Sequence, residues 1–143
     1  MGKVLILVGL LLAACGGGET AVPAKAEQIV CTAAYRSSTE VGIEREETLT
    51  FTDADDEQSV AFADMTFHAT YRTGVADNER SLRVWVTDTA DTVFHATLYQ
   101  LPLDSGPQNQ FIGGHGFTGL TYSYHPMSGA ELQFWCQAGE GNI

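Results

Sequence analysis

From Gln28 onward, apolar and polar residues alternate in short segments, and this two-residue period restricts the folds that the chain can adopt. Thr, Val, Phe and Tyr are frequent in these segments, and no helical period extends beyond two turns. Turn-forming residues separate one segment from the next. The pattern predicts an all-β fold, namely an antiparallel β-sandwich or a small barrel of about seven strands, because both architectures hide strand edges.

The strand pattern occurs in seven segments, which are residues 28–36, 46–52, 59–73, 81–87, 92–101, 120–125 and 130–137. The third segment changes phase near Ala63 and Asp64, where we expect a bulge or a tight bend. The fifth segment is apolar on both faces, which predicts a central strand. Pro126 to Gly129 predict a hairpin loop between the last two strands.

The first residues of the chain have the pattern of an export signal. Lys3 precedes an apolar run over residues 4–12, and two small residues, Ala13 and Ala14, follow it. The run is too short for a membrane-spanning helix. Leu12-Ala13-Ala14-Cys15 resembles the lipobox of bacterial lipoproteins. The resemblance implies a signal peptide over residues 1–14 and a mature chain whose first residue, Cys15, carries acyl chains such as palmitate.

Residues 16–27 have the composition of a linker between Cys15 and the predicted β-domain of residues 28–143. They begin with three glycines and lack apolar periodicity, so they predict a flexible coil that spans roughly 20 Å. In Gram-negative lipoproteins an aspartate after the lipidated cysteine is associated with retention in the inner membrane. Gly16 occupies that position here. The resemblance therefore implies a lipid-anchored protein of the cell envelope, at the outer membrane if the host has two membranes.

Two cysteines remain once Cys15 is assigned to lipid. Cys31 lies in the first predicted strand and Cys136 in the last, 105 residues apart. An even pair in an exported chain favours a disulfide between them. Two buried free thiols are the alternative. A metal site is less favoured, because the cysteines lack the Cys-x-x-Cys spacing of zinc ligands.

The chain is strongly acidic, with 18 acidic and 7 basic residues and a net charge of −11. A surface of this charge repels nucleic acid and anionic lipid head groups, so no nucleic-acid partner is expected. With 44% hydrophobic and 17% charged residues, the composition is that of a folded domain rather than a disordered chain.

An acidic run offers candidate calcium ligands at Asp53, Asp55 and Glu57. It does not match the EF-hand pattern, because Gln58 stands where the loop requires glycine and Asp64 where it requires glutamate. A looser calcium site and a solvated acidic turn both fit the run.

His68 and His95 are the histidine candidates for a metal site. They occupy matching positions in two segments that share Ala-Asp and then Phe-His-Ala-Thr, 27 residues apart. In a meander of three strands they would flank Arg83 or Trp85 on one surface, where two neutral imidazoles can share a metal. The positive charge of Arg83 opposes such a site, and histidine on a solvent-facing strand needs no special role.

No recognisable motif pairs a nucleophile with a base, so the sequence predicts no enzyme and no cofactor. His115 lies in a glycine-rich segment, which suits either a ligand loop or a plain turn. Large aromatic residues offer either binding anchors or core-filling side chains, and they are Trp85, Tyr99, Tyr122, Tyr124 and Trp135.

Taken together, these features predict a lipid-anchored envelope lipoprotein that binds or holds an envelope protein or glycan. The alternative is an inhibitor or a metal-binding (calcium or zinc) module. Ser128-Gly129-Ala130 resembles the Ser-Gly-Ala of the inhibitory loop in small β-barrel lipoproteins that block lysozyme, but the tyrosine that usually follows is missing.

Overall fold

The computed structural model describes residues 27–52, 56–72, 80–102 and 106–140. Within these ranges the chain forms no helix, and the all-β prediction is confirmed. Eight strands follow one another along the chain: β1 (Glu27–Arg36), β2 (Arg45–Phe51), β3 (Asp56–Ala61), β4 (Met65–Arg72), β5 (Ser81–Asp88), β6 (Val93–Gln100), β7 (Thr121–Tyr124) and β8 (Glu131–Glu140).

The strands form two four-stranded antiparallel sheets. The first has the order β2-β1-β8-β7 and contains both the first and the last strand, so we call it the terminal sheet. The second has the order β3-β4-β5-β6, in which each strand pairs with the next along the chain, so we call it the meander sheet. The fold is a β-sandwich.

The core lies between the inner faces of the two sheets, where every second residue of a strand is buried. In β4 the alternation is complete from Met65 to Tyr71, and in β5 it places Leu82, Val84 and Val86 inside. Phe67 of the meander sheet contacts Phe134 of the terminal sheet, with ring centroids 5.1 Å apart. Each such buried side chain stabilises the fold by about 1.5–3 kcal/mol relative to exposure.

The predicted disulfide between Cys31 and Cys136 is present. The two residues are direct register partners of β1 and β8, with Cα atoms 4.0 Å apart, and both side chains are fully buried. The bond therefore joins neighbouring strands of one sheet, unlike the immunoglobulin disulfide, which joins two sheets.

The segment 59–73, in which we expected a bulge or a tight bend, contains the end of β3 and the whole of β4, two strands of a hairpin; its last residue, Thr73, lies outside the described residues. The phase change marks a chain reversal at residues 62–64, where the Phe62 N–H donates to the Met65 carbonyl oxygen at 2.7 Å. This reversal, together with the earlier start of β3 at Asp56, raises the strand number from seven to eight.

The prediction that residues 92–101 form a central strand is wrong. β6 is an edge strand of the meander sheet, and Leu98 on its outer face is 65% exposed. The apolar residues on both faces of this segment misled the prediction, because only those that face the terminal sheet are covered.

The two ends of the sandwich differ in what they carry. β1 begins at one end, which we call the linker end because the chain enters the domain there; β4 and β6 finish at the same end. The opposite end, which we call the turn end, carries four connections between sequential strands, formed by residues 37–44, 62–64, 89–92 and 125–130.

The outer face of the terminal sheet holds a buried ion pair. Glu131 is only 1% exposed and accepts a bond from the Arg36 guanidinium at 2.7 Å, while Gln133 Nε2 donates to the same carboxylate, also at 2.7 Å. Burial acts to raise the pKa of Glu131, but hydrogen bonds from Arg36, Gln133 and Tyr124 outweigh burial and lower it. Glu131 therefore stays ionised within the fold.

Candidate functional site

A concave surface lies on the outer face of the meander sheet. Because side chains alternate along each strand, Thr70, Arg83 and Leu98 form one row across β4, β5 and β6. Arg72, Ser81 and Gln100 form the next row toward the linker end. Together with their neighbours they line a groove of about 460 Å³, which we call the arginine groove; its lining residues are Glu57, Thr70, Arg72, Arg80, Ser81, Arg83, Trp85, Leu98 and Gln100.

Arginine is concentrated in this groove, which holds three of the five arginines of an acidic chain. The other two arginines are paired: Arg36 with Glu131 and Arg45 with Glu47, at 2.7 and 2.8 Å. Over the described ranges, Arg72 and Arg83 make no ion pair with a carboxylate, and both side chains are exposed. Their positive charge therefore remains available to a ligand.

Arg80 is a fixed cation at the linker end of the groove. Its guanidinium donates to the Pro102 carbonyl oxygen at 2.8 Å and to the Tyr71 hydroxyl at 3.3 Å. Burial lowers the pKa of Arg80 from its ordinary value, but arginine remains charged at any physiological pH. Arg80 contributes a positioned charge, whereas Arg72 and Arg83 contribute accessible hydrogen-bond donors.

Trp85 supports Arg83 at the other side of the groove. The Arg83 guanidinium lies 4.8 Å from the centroid of the Trp85 ring, a cation–π arrangement worth about 0.5–1 kcal/mol at an exposed site. The His68 ring stacks on Trp85 at 4.9 Å, with an angle of 3° between the planes. Burial lowers the pKa of His68, although Glu57 and Asp91 act in the opposite direction, so His68 is neutral at pH 7.

The two histidines predicted to share one surface lie on opposite faces of the meander sheet. His68 pairs with Trp85 on the outer face, whereas the His95 ring points inward and meets Phe134 edge-on at 5.2 Å. The cause is a bulge between β5 and β6, where the register skips Phe94 and therefore sets His95 opposite Val86. A regular ladder would have placed His95 opposite Trp85.

Of the other metal candidates, Glu57 alone lies among the described residues. Asp53 and Asp55 lie outside the described residues, and Glu57 lies 3.5 Å from the Thr70 hydroxyl. In the part of the chain that the structure describes, no group of three His, Cys, Asp or Glu side chains is arranged to hold a metal ion.

The glycine-rich segment around His115 covers the edge of β8. A Cβ atom at Gly116, whose φ is +61°, would lie 2.1 Å from the Cys136 carbonyl oxygen, so the chain crosses β8 too closely for any side chain. The Phe117 N–H donates to that oxygen at 3.0 Å, and the Cys136 N–H donates to the Thr118 hydroxyl at 2.7 Å. His115 meets Trp135 edge-on at 5.3 Å. These contacts give the glycines a structural role.

A polar cluster at the turn end contains Ser128, His125 and Asp64. Ser128 Oγ donates directly to the Asp64 carboxylate, which also accepts the Tyr35 hydroxyl at 3.0 Å. His125 Nδ1 accepts the N–H groups of Met127 and Ser128, at 3.2 and 3.1 Å. The histidine therefore stabilises its own turn, and the cluster links the two sheets. Ser128 belongs to the Ser128-Gly129-Ala130 segment that resembles the loop of lysozyme inhibitors, and its hydroxyl is hydrogen-bonded to Asp64.

The large aromatic residues do not form one common surface. Trp85 lines the arginine groove, Tyr99 meets the buried Phe117 edge-on at 6.4 Å, and Trp135 contacts His115. Tyr122 and Tyr124 are 45% and 53% exposed on the outer face of the terminal sheet.

Sequence reasoning singled out Trp85 and mentioned Arg83 only as an obstacle to a metal, and it missed Arg72 and Arg80. A usable signal was present, because three of the chain's five arginines lie within residues 72–83. Alternation along β4 and β5 places Arg72 and Arg83 on the same face.

Comparison of the chain with known protein families, with curated proteins and with solved structures gives no match. No helix in the described ranges is long and apolar enough to cross a membrane. A function must therefore be argued from the residues themselves.

Proposed function

We propose that the protein is a lipid-anchored lipoprotein of the bacterial cell envelope that binds an envelope ligand in the arginine groove. The anchor is supported by the lipobox resemblance at Leu12-Ala13-Ala14-Cys15 and by the linker that follows it. Binding is supported by one observation above all: in a chain of net charge −11, two exposed arginines share a groove without a carboxylate partner among the described residues.

The distribution of charge is the reason to treat this groove as a ligand site. With 18 acidic residues available, an arginine that serves the fold readily finds a carboxylate, as Arg36 and Arg45 do. Arg72 and Arg83 line the same groove as two like charges, and neither makes an ion pair with a carboxylate among the described residues. A ligand that carries negative charge offsets the repulsion between them, so the groove favours the binding of anions over neutral or positive ligands.

The position of the groove suits a domain held at a surface. β1 starts at the linker end, so a tether through residues 16–27 would attach there and hold the domain roughly 20 Å from the lipid. The groove lies on the outer face of the meander sheet, so a membrane at the linker end would leave it open to a ligand. Two or more acyl chains on Cys15 would make the attachment stable.

The anchor is tested by expressing the full chain in a Gram-negative host and comparing it with Cys15→Ala. We expect the wild type in the membrane fraction, with a mass that fits an acylated chain beginning at Cys15. The variant should lose both properties. An unmodified thiol at Cys15 in the wild type would contradict the anchor.

Binding is tested by retention of solubilised envelope material on the immobilised full chain. We expect the double variant Arg72→Ala with Arg83→Ala to lose retention. Arg45→Ala is the matched control, because it also removes one exposed arginine but lies on β2, away from the groove. Equal retention by all three proteins would contradict a binding role for the groove.

A further inference from the structure

We infer that the ligand of the arginine groove is a short saccharide that carries carboxylate groups, recognised through Arg72 and Arg83. This inference rests on the proposed function and gives it a ligand class. It depends on the placement of the two arginines, on the neutral side chains between them and on the charge around the groove.

The two arginines are placed to share one carboxylate or to hold two neighbouring ones. Arg72 is the register partner of Ser81, and Arg83 lies two residues further along β5, so the arginines are diagonal neighbours on one face. Diagonal positions in an antiparallel pair lie about 7–8 Å apart, within reach of two long side chains that converge on one group. The planar guanidinium donates two parallel hydrogen bonds to a carboxylate, which favours this group over a spherical anion.

The neutral side chains of the groove match the remainder of a sugar. Thr70 and Ser81 present hydroxyl groups, which suit the hydroxyls of a saccharide. Leu98, 65% exposed, and Trp85 add apolar surface beside these polar groups, which suits the C–H face of a sugar ring. An inorganic anion would leave this surface unused.

The size of the groove favours a short ligand. A volume of about 460 Å³ lies in the range of small-molecule sites, which is roughly 300–1,000 Å³. A few sugar units fill such a space, whereas the rest of a long polymer would extend over the acidic surface.

Charge around the groove disfavours a lipid bilayer as the partner. β3 begins beside the groove with Asp56 and Glu57, and the whole chain carries a net charge of −11. At physiological salt, screening limits the range over which each charge acts to about 8 Å. The arginines therefore attract groups that enter the groove but do not attract an extended anionic surface. A membrane would bring its phosphates against the acidic residues as well.

Glu57 provides an internal test of charge recognition. Its carboxylate lines the groove at the β3 side, where it accepts the Thr70 hydroxyl at 3.5 Å and opposes an anion held by Arg83. If the ligand is anionic, removal of this charge by Glu57→Gln should tighten binding about threefold. A neutral ligand would gain nothing from the change.

The experiment measures binding of trigalacturonate and trimannuronate to the purified full chain by calorimetry, with their methyl esters as matched neutral probes. We expect at least one free acid to bind and its ester to bind at least tenfold more weakly. Arg72→Ala and Arg83→Ala should each weaken binding about tenfold or more. Arg72→Lys and Arg83→Lys should weaken it as much, because lysine keeps the charge but cannot donate two parallel hydrogen bonds to one carboxylate. Arg45→Ala should bind as the wild type does.

Several outcomes would overturn the inference. Equal binding of acid and ester would show that the carboxylate is not recognised, and full binding by the lysine variants would show that charge alone suffices. Arg-dependent binding to phosphatidylglycerol vesicles without binding to either acid would assign the groove to a lipid surface. Both arginines are exposed, so the variants should fold: the Arg72 variants should unfold thermally as the wild type does, and Arg83→Ala should lose no more than its cation–π contact with Trp85.

Failure of this inference is distinguishable from failure of the proposed function. If neither acid binds while envelope material is still retained in an Arg72- and Arg83-dependent manner, the saccharide assignment is wrong and the binding role stands. If neither acid binds and the retention of envelope material does not depend on Arg72 and Arg83, both the saccharide assignment and the binding role are wrong.

Discussion

The outer faces of the two sheets use arginine in opposite ways. On the terminal sheet, Arg36 is committed to Glu131, whose carboxylate is almost fully buried. On the meander sheet, Arg72 and Arg83 are exposed and have no carboxylate partner among the described residues. A buried charge that loses its partner is costly, whereas an exposed one is free to exchange water for a ligand. The difference separates a face that stabilises the fold from a face that is available for binding.

The sheets also differ in how the chain builds them. The meander sheet consists of successive hairpins, so its strands pair locally. The terminal sheet brings together β1 and β8, whose bonded cysteines are 105 residues apart. Closing such a long loop costs conformational entropy, so the terminal sheet depends on tertiary contacts and on the disulfide in a way that the meander does not.

Removal of the disulfide should give the largest effect on stability. We expect the double variant Cys31→Ala with Cys136→Ala to lose about 4 kcal/mol of the free energy of unfolding, since a bond that closes a loop of this length restricts the unfolded chain. Urea unfolding of the variant and of the reduced wild type measures the loss. A change below about 1 kcal/mol would mean that pairing of β1 with β8 does not need the bond.

Gly116→Ala should destabilise the edge of the terminal sheet by about 3 kcal/mol, because the added Cβ meets the Cys136 carbonyl oxygen and because φ is positive there. Gly114→Ala is the matched control: its φ is +81°, but nothing lies within 4 Å of the added Cβ. It should cost only about 1 kcal/mol through the backbone conformation. Equal losses in urea unfolding would show that the close crossing of β8 has no steric cost.

Glu131→Gln should lower the free energy of unfolding by about 2 kcal/mol, because it leaves the Arg36 guanidinium without its countercharge. Arg72→Gln on the meander sheet should change stability by less than about 0.5 kcal/mol, because Arg72 is exposed and makes no ion pair with a carboxylate among the described residues. Chemical denaturation of both variants tests the contrast between the sheets directly. Similar losses from the two substitutions would remove it.

The same glutamate predicts a pH effect. Because the pKa of Glu131 is lowered in the fold, its contribution to stability is present above the ordinary glutamate pKa and is lost as the pH falls through the lowered value. Stability of the wild type should therefore decline more steeply on acidification than that of Glu131→Gln. Parallel acid limbs in the two profiles would contradict the ion pair.

Tyr35→Phe should give the smallest loss, about 1 kcal/mol, because it removes one hydrogen bond to Asp64 at the turn end. Burial, together with the hydrogen bond to Asp64, raises the pKa of Tyr35 to about 12. A raised tyrosine pKa contributes stability that is present below pH 10 and is lost as the pH rises toward 12. The pKa values of Tyr71 and Tyr124 are raised as well, so absorbance titration should show one late-ionising tyrosine fewer in the variant than in the wild type.

The sequence was sufficient for features that depend on local alternation. The alternation along residues 28–36 and 81–87 predicted β1 and β5 nearly to their observed ends. The even pair of cysteines left after Cys15 predicted the bond between the first and the last strand of the chain. For residues 59–73 the sequence left a bulge and a tight bend both open, because a phase change looks the same for a bent strand and for a tight hairpin.

Features that depend on pairing between strands were not predictable. The bulge that moves His95 to the inner face changes the register by one residue, and no local pattern marks it. The arginine groove has the same origin, because Arg72 and Arg83 become neighbours only when β4 and β5 pair in one register. Trp85 was named as an anchor, but its partner Arg83 was interpreted only through its effect on a metal.

The place of the disulfide near the start of β1 has a mechanical consequence for a domain held by its first residues. A pull applied at Glu27 would act on a strand that is bonded covalently to β8 only four residues later, at Cys31. Peeling of β1 away from β8 would stop at that cross-link, and the load would pass to the last strand and the core beneath it. With the anchor that we propose, the domain would resist a force on its N-terminal segment without detachment of β1 from β8.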